Sequence, residues 1–421
     1  MGRVARAVTV HIRNSSAIAG AVLAIALALL DAPAAGAARA HGRRPEPETV
    51  SPAALAQIRV LGGRPAPFAL DARAAMLVDT HTGAVLYTFN EHARMQPASL
   101  AKIMTFYLAL DALKGGRLTL DTPVVVSEQA WRLSMDQEVS RMFLGVGQRV
   151  AVRDLLYGLM VSSGNDAAVA LAEYLGGSIE AFTDEMNAKA KRLELGETRF
   201  ANPDGLPVEG EYTTAADMVK LGRALLAGHP EALTYTGAKE FTFDKIRQRN
   251  FNTLLFYDSR VNGIKTGHVE EAGFHLVSSA ASNGMTLISA VMGAPNAEKR
   301  RVETEKLLDW AFRTFVTVKP DWRTQVPATM PVYGGGADTV AIAPARDAYV
   351  TVGRGEEKRV SIAFTAAAKY LVAPVAKGAQ AGELTAMLDG KPQASIPVVT
   401  QAAVAQGSLL KRLKDRIRRA L

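Results

Sequence analysis

Short apolar runs, then helical spacing, then short runs again: the hydrophobic positions of this chain change rhythm twice before residue 315. Ala74 to Val78 and Ala84 to Tyr87 flank Asp79-Thr80-His81-Thr82-Gly83. This predicts a strand pair whose tight connection uses the positive φ that Gly83 tolerates. Apolar residues next recur at helical spacing from Ile103 to Leu113, Asp154 to Met160, Asp166 to Leu175, through Met186 and Leu193 to Gly196, and from Met218 to Leu226. Ser178 stands where a helix N-cap belongs, and Thr214 with Asp217 fits a capping box. A second β region follows at Val261 to Lys265, Phe274 to Ala280 and Met285 to Met292, the last two joined by the hairpin dipeptide Asn283-Gly284. Glu303 to Phe315 reads as an amphipathic helix. Strands at both ends with helices between them predict an α/β (α+β) domain whose antiparallel sheet is built by both termini of the region.

Beyond Phe315 the pattern is of short alternating runs, such as Ala348 to Val352 and Val360 to Phe364, rich in Val, Ala, Gly and Pro. A small all-β domain is expected over 319–404. Residues 405–421 then put Leu409, Leu410, Leu413, Ile417 and Leu421 on one helical stripe, with Lys411, Arg412, Lys414, Arg416, Arg418 and Arg419 filling the rest. A basic amphipathic helix of this kind suits an anionic membrane surface. At the other end, Arg3, Arg6 and Arg13 precede the apolar stretch Ala17 to Leu30 and two small-x-small sites, Ala35-Gly36-Ala37 and Ala38-Arg39-Ala40. Residues 1–40 therefore read as a secretory signal, the apolar stretch being shorter than the ~18 to 20 residues of a span. The Ala-, Pro-, Gly- and Arg-rich segment 41–68 reads as a flexible leader, leaving 69–318 for the first folded domain.

The net charge of +8 is concentrated at these two ends. No basic stripe with interleaved aromatics points to nucleic acid. The chain has no cysteine, hence no disulfide, and its seven histidines show no His-x-x-x-His spacing. No cofactor is expected.

Candidate chemistry lies in three separated stretches. Pro97-Ala98-Ser99-Leu100-Ala101-Lys102 opens a helix, so Ser99 and Lys102 share a face three residues apart. A serine becomes nucleophilic when a neighbouring base takes its proton, and a lysine is that base only if burial or another cation lowers its pKa. Ser162-Ser163-Gly164-Asn165-Asp166 follows an apolar helix, and Gly263-Ile264-Lys265-Thr266-Gly267-His268 reads as a strand.

In this order, Ser-x-x-Lys, Ser-x-Asn and Lys-Thr-Gly form the signature of penicillin-binding proteins and class A β-lactamases. With Asp79-x-x-Thr82-Gly83, Ser140-Arg141-Met142-Phe143, Asn202-Pro203-Asp204-Gly205-Leu206, Thr214-Ala215 and Ala373-Pro374-Val375-Ala376-Lys377-Gly378, the chain resembles the low-molecular-mass penicillin-binding proteins, the D-alanyl-D-alanine carboxypeptidases. The resemblance covers about residues 70 to 400. It implies a penicillin-binding/β-lactamase-like catalytic domain and a small C-terminal β domain, placed on the outer, periplasmic face of the inner membrane. It further implies removal of the terminal D-alanine from peptidoglycan stem peptides through an acyl-enzyme on Ser99, and covalent inhibition by β-lactams. In that scheme Lys102 is the general base, Ser163 relays a proton to the leaving amine, and Asn165 binds the substrate amide and holds Lys102. Lys265 and Thr266 attract the terminal carboxylate, and Gly267 lets the strand approach the substrate. The N–H groups of Ser99 and His268 make the oxyanion hole, and Arg300 or its neighbour Arg301 binds carboxylate.

A class A β-lactamase shares the motifs but needs a carboxylate to activate the deacylating water, and Glu197 stands one residue out of step with the usual Glu-x-x-x-Asn spacing, Asn202 being the asparagine. A cross-link endopeptidase usually lacks the β domain. A non-catalytic cell-wall binder would not need complete motifs. Two departures from the family pattern, Val269 after His268 and Glu211 before Tyr212, bear on substrate preference rather than on the reaction.

Overall fold

The computed structural model describes residues 58–64 and 68–420. The expected signal segment and most of the expected leader lie outside them. Residues 58–60 of that leader are not loose chain: Ile58–Val60 forms strand β1, paired antiparallel with β3 (Val85–Phe89).

Six strands make the first sheet, in the order β1-β3-β2-β6-β5-β4, all antiparallel, where β2 is Ala74–Asp79, β4 Val261–Val269, β5 Gly273–Ser282 and β6 Met285–Ala294. Chain ends therefore meet in the middle of the sheet, where β2 lies beside β6. The Asn283-Gly284 hairpin forms with positive φ at both residues, 50° and 77°. Among the described residues, strand β4 stands at the edge opposite β1, with one side unpaired.

Helices α1 (Lys102–Lys114), α2 (Glu128–Met135), α3 (Val152–Met160), α4 (Asn165–Gly176), α5 (Ile179–Arg192) and α6 (Ala215–Gly228) lie between β3 and β4 in sequence. Burial explains α1 and α4: Ile103, Met104, Phe106 and Leu108 of α1 and Ala167 to Ala172 of α4 join one apolar core. Ser178 caps α5 through Ala181 N–H. Thr214 caps α6 by accepting from Asp217 N–H, but the capping box closes only on that side, because the Asp217 carboxylate accepts from Glu197 N–H and Thr198 instead. The last helix of this domain, α7, spans Ala297–Thr314 and starts six residues before the sequence-based reading. Its N-cap is Asn296, which accepts from Lys299 N–H.

Strand β7 (Phe315–Val318) leads into the β-rich region and pairs with β10 (Val350–Gly353). A second six-stranded sheet runs β11-β13-β14-β9-β8-β12, made from Val360–Ala366, Gln380–Leu388, Lys391–Thr400, Thr339–Pro344, Thr329–Tyr333 and Leu371–Val372 respectively. It has its own apolar core around Val332, Ile342, Leu384 and Ile396. Helix α8, Leu409–Ala420, follows.

Candidate active site

The chain enters the site through a 3₁₀ turn, Ala98–Ala101, that continues directly into α1. Ala98 holds a positive φ of 50°, a conformation disfavoured for any residue with a Cβ. It is held there from behind by Gly205: a Cβ on that glycine would sit 1.8 Å from the Ala98 carbonyl oxygen. The turn thus presents Ser99 while Lys102, one turn on, is fully buried.

Lys102 Nζ stands 3.0 Å from Ser99 Oγ, 2.5 Å from Asn165 Oδ1 and 2.5 Å from the Asp204 carbonyl. These three contacts are ones that suit a base. A neutral amine has two N–H donors and one lone pair; two acceptors that cannot themselves donate consume the N–H groups, which leaves the lone pair aimed at the serine hydroxyl. Burial brings the ammonium down from 10.5 to about 8, against the opposing pull of Asp204, Asp166 and Glu211.

The second stretch is a break between helices. Chain leaving α3 turns at Ser163, φ 58°, and restarts at Asn165, whose N–H donates to the Ser140 carbonyl at 2.9 Å. Close packing shapes the break, since a Cβ on Gly158 would lie 2.3 Å from Met142 Sδ. Asp166 then gathers the 140–144 loop: its carboxylate accepts from Ser134 Oγ and from the N–H groups of Met142 and Leu144.

On β4, Lys265 Nζ donates to Ser163 Oγ at 2.9 Å and to the Thr266 carbonyl at 3.1 Å. Burial, then Lys102 and Arg300, hold its pKa well below the ordinary lysine value. Ser99, Ser163, Asn165, Thr266, His268 and Arg300 line one cavity of about 890 Å³, and Gly267 completes its floor. Lys102 and Lys265 stand in the wall behind them. Neither amine is exposed to the cavity, and burial lowers the pKa of both.

Gly267 lines the cavity, and a Cβ there would meet the Pro97 carbonyl at 3.0 Å, Leu100 and Ala98, so the glycine also allows β4 to lie against the Ser99 turn. Of the two arginines, Arg300 is the one in the cavity: it is 7% exposed, 5.8 Å from the Phe274 ring, and bonded to the Phe251 carbonyl. Arg301 is paired with Glu298 and Glu305. The His268 side chain stacks on Phe274 at 3.9 Å. Glu197 lies in a different cavity and its carboxylate meets His92 at 2.6 Å.

Sequence reasoning missed the roles of Asp166, of the Asp204 carbonyl and of Glu211. Asp166 and Asp204 sat inside quoted motifs, yet what they do depends on backbone turns that no spacing announces.

Comparison with known proteins gives the same grouping. The family model described as D-alanyl-D-alanine carboxypeptidase matches residues 63–296, and that described as Penicillin-binding protein 5, C-terminal domain, matches 315–406. D-alanyl-D-alanine carboxypeptidase DacC of Escherichia coli (strain K12) is 40% identical over 349 residues, 82% of this chain and 87% of that protein. The crystal structure of penicillin binding protein 5 from Haemophilus influenzae is similar with a TM-score of 0.71 at 38% identity, covering 81% of this chain and 99% of that one. Penicillin-Binding Protein D2 from Listeria monocytogenes in its cefotaxime bound form is similar over 59% of this chain and 100% of that chain, with a TM-score of 0.54 at 33% identity.

Proposed function

This chain belongs to the D-alanyl-D-alanine carboxypeptidase family and is a serine hydrolase of it, and from that premise we propose how its residues divide the reaction. Ser99 Oγ attacks the carbonyl between the last two D-alanines of a peptidoglycan stem while Lys102 takes the hydroxyl proton. The developing oxyanion is held by the N–H groups of Ser99 and His268, each such donor contributing about 2.7 to 4 kcal/mol to the barrier reduction. As the C–N bond breaks, Ser163 passes a proton to the departing amine and D-alanine leaves. Water then hydrolyses the ester. Asn165 orients both Lys102 and the substrate amide, and Thr266, Lys265 and Arg300 receive the terminal carboxylate.

One observation carries this reading: the buried Lys102 Nζ stands 3.0 Å from Ser99 Oγ and is held by two fixed oxygens, Asn165 Oδ1 and the Asp204 carbonyl. Penicillins present an amide whose leaving nitrogen stays tethered in the ring, so they acylate Ser99 and remain. Deacylation is expected to be slow, since Glu197, the carboxylate weighed for a β-lactamase's water activation, meets His92 in another cavity.

We place the enzyme outside the cytoplasm, on the outer face of the inner membrane through α8. No helix among the described residues is long and apolar enough to cross a membrane. The support is the exposure of Leu409 and Leu410 at 80%, with Leu413 and Ile417 also exposed.

A fluorescent penicillin is expected to label the wild type covalently and not S99A, and the wild type is expected to free D-alanine from a pentapeptide stem. Labelling of S99A would refute the nucleophile.

A further inference from the structure

Glu211 sits behind the catalytic pair, and no step above uses it. It is 5% exposed. Its Oε1 accepts one long bond, from Ala201 N–H at 3.3 Å, and its Oε2 is buried without a partner. A carboxylate offers about four acceptor sites, so a single weak donor leaves its charge uncompensated. Burial pushes this carboxyl up from 4.5 to about 8.

The residue closes the loop that serves Lys102. Ala201, at the start of the loop, is tied to Glu211; the Pro203 carbonyl accepts from Thr105 Oγ1 at 2.6 Å, and the Asp204 carbonyl accepts from Lys102. Gly205, next in line, is wedged against Ala98. The charged groups facing Glu211 are Asp204 from its own loop and Lys102 from α1. Lys102 in turn faces Asp166 from α4 and Lys265 from β4.

We propose that Glu211 is a positioning residue for the base: it holds the loop that presents the Asp204 carbonyl to Lys102, and its charge state sets the pH range over which that amine is free to take the Ser99 proton. The proposal rests on the reading of Lys102 as the base. An ionised Glu211 favours the ammonium form of Lys102, and a neutral one does not. Because the two groups titrate in the same region, their protons leave in two overlapping steps that belong to the pair. After the first step the remaining proton is shared between amine and carboxylate. Only after the second is the amine wholly free.

E211Q keeps an oxygen to accept from Ala201 N–H and removes the charge. The test is the second-order rate constant of penicillin acylation against pH, with thermal unfolding as the check on folding. The expected result is an acid limb that becomes a single ionisation and moves down by roughly half a pH unit or more, with the plateau within about twofold of wild type. Superimposable limbs would overturn the proposal, and so would a uniform loss of rate at every pH, which a merely structural role produces. Should E211Q not fold, infrared spectra of the wild type decide: an un-ionised carboxyl band persisting at pH 7 and lost near pH 8 to 9 supports the proposal, and its absence at pH 7 overturns it. K102A separates the two readings. If K102A still reaches the wild-type plateau, Lys102 is not the base; if K102A is inactive while the E211Q limb stays unmoved, only the role of Glu211 fails.

Discussion

Lys102 gives up its water on folding and receives in return two carbonyl-type oxygens and a hydroxyl, with no carboxylate in direct contact. That exchange is poor for an ammonium and good for an amine, which is why its pKa falls to about 8. Lys102 binds its proton less tightly folded than unfolded, so folding carries a cost that is complete below pH 8 and disappears as pH rises from 8 to 10.5. A drop from 10.5 to about 8 corresponds to about 3 kcal/mol. K102M removes the titration and is expected to be inactive towards penicillin. Its stability relative to wild type should be most favourable near pH 7 and should worsen by up to about 3 kcal/mol by pH 10.5, read from denaturant unfolding at each pH. A stability difference that does not vary with pH would mean that the buried amine is not the strained group. That Ser99, Lys102, Ser163, Asn165 and Lys265 meet in one place was legible in the sequence through three family motifs taken together, where the Ser-x-x-Lys spacing alone would not have told it. Glu211 was visible only as a departure from a pattern, since a buried carboxyl with one long hydrogen bond has no signature in a linear chain.

At the level of elements, what could be read was what repeats locally. The β2–β3 and β5–β6 hairpins announced themselves through Gly83 and Asn283-Gly284, and α1 through its apolar run. What could not be read were pairings decided by distant partners. Strand β1 is three residues of an otherwise loop-like segment, and it becomes a strand because β3 offers an open edge. The early start of α7 was hidden because Ala297 to Val302 is mostly charged, although Asn296 was available as a cap. The sheet order puts β1 at one edge and the catalytic strand β4 at the other, with four strands between them. A chain beginning at Phe68 should therefore lose about 1 to 2 kcal/mol, the burial of Val60 less the entropy of ordering a short strand, while its rate of penicillin acylation stays within about twofold. A large loss of acylation in that variant, with melting unchanged, would contradict this division of the sheet.

Across the whole molecule, the catalytic sheet and the β-rich region are joined through a buried carboxylate. Asp79, at the end of β2, accepts from Thr351 Oγ1 at 2.8 Å, from Thr317 and from His81 N–H, so the hairpin beside the central strands is clasped to β7 and β10. The chain's end is fastened in a related way. Asp415, the one acid of α8, is turned inward and accepts from Gly334 N–H at 2.8 Å, while Lys411 pairs with Asp338 at 2.6 Å. With its polar contacts made on the inside, α8 leaves Leu409, Leu410, Leu413 and Ile417 facing outward, flanked by Arg412, Lys414, Arg416 and Arg418. Near an anionic bilayer each such cation contributes about 1 kcal/mol, within a Debye length of about 8 Å at physiological salt, and the leucines add burial that salt does not screen. The full chain is therefore expected to co-sediment with vesicles rich in phosphatidylglycerol, less so at high salt, and poorly with neutral vesicles. A chain ending at residue 404 should stay in the supernatant yet free D-alanine from a soluble pentapeptide at the wild-type rate, because nothing in α8 lines the catalytic cavity. L413D tests the apolar half separately: if it binds as wild type does at high salt, the stripe is not inserted and charge alone holds the enzyme at the surface.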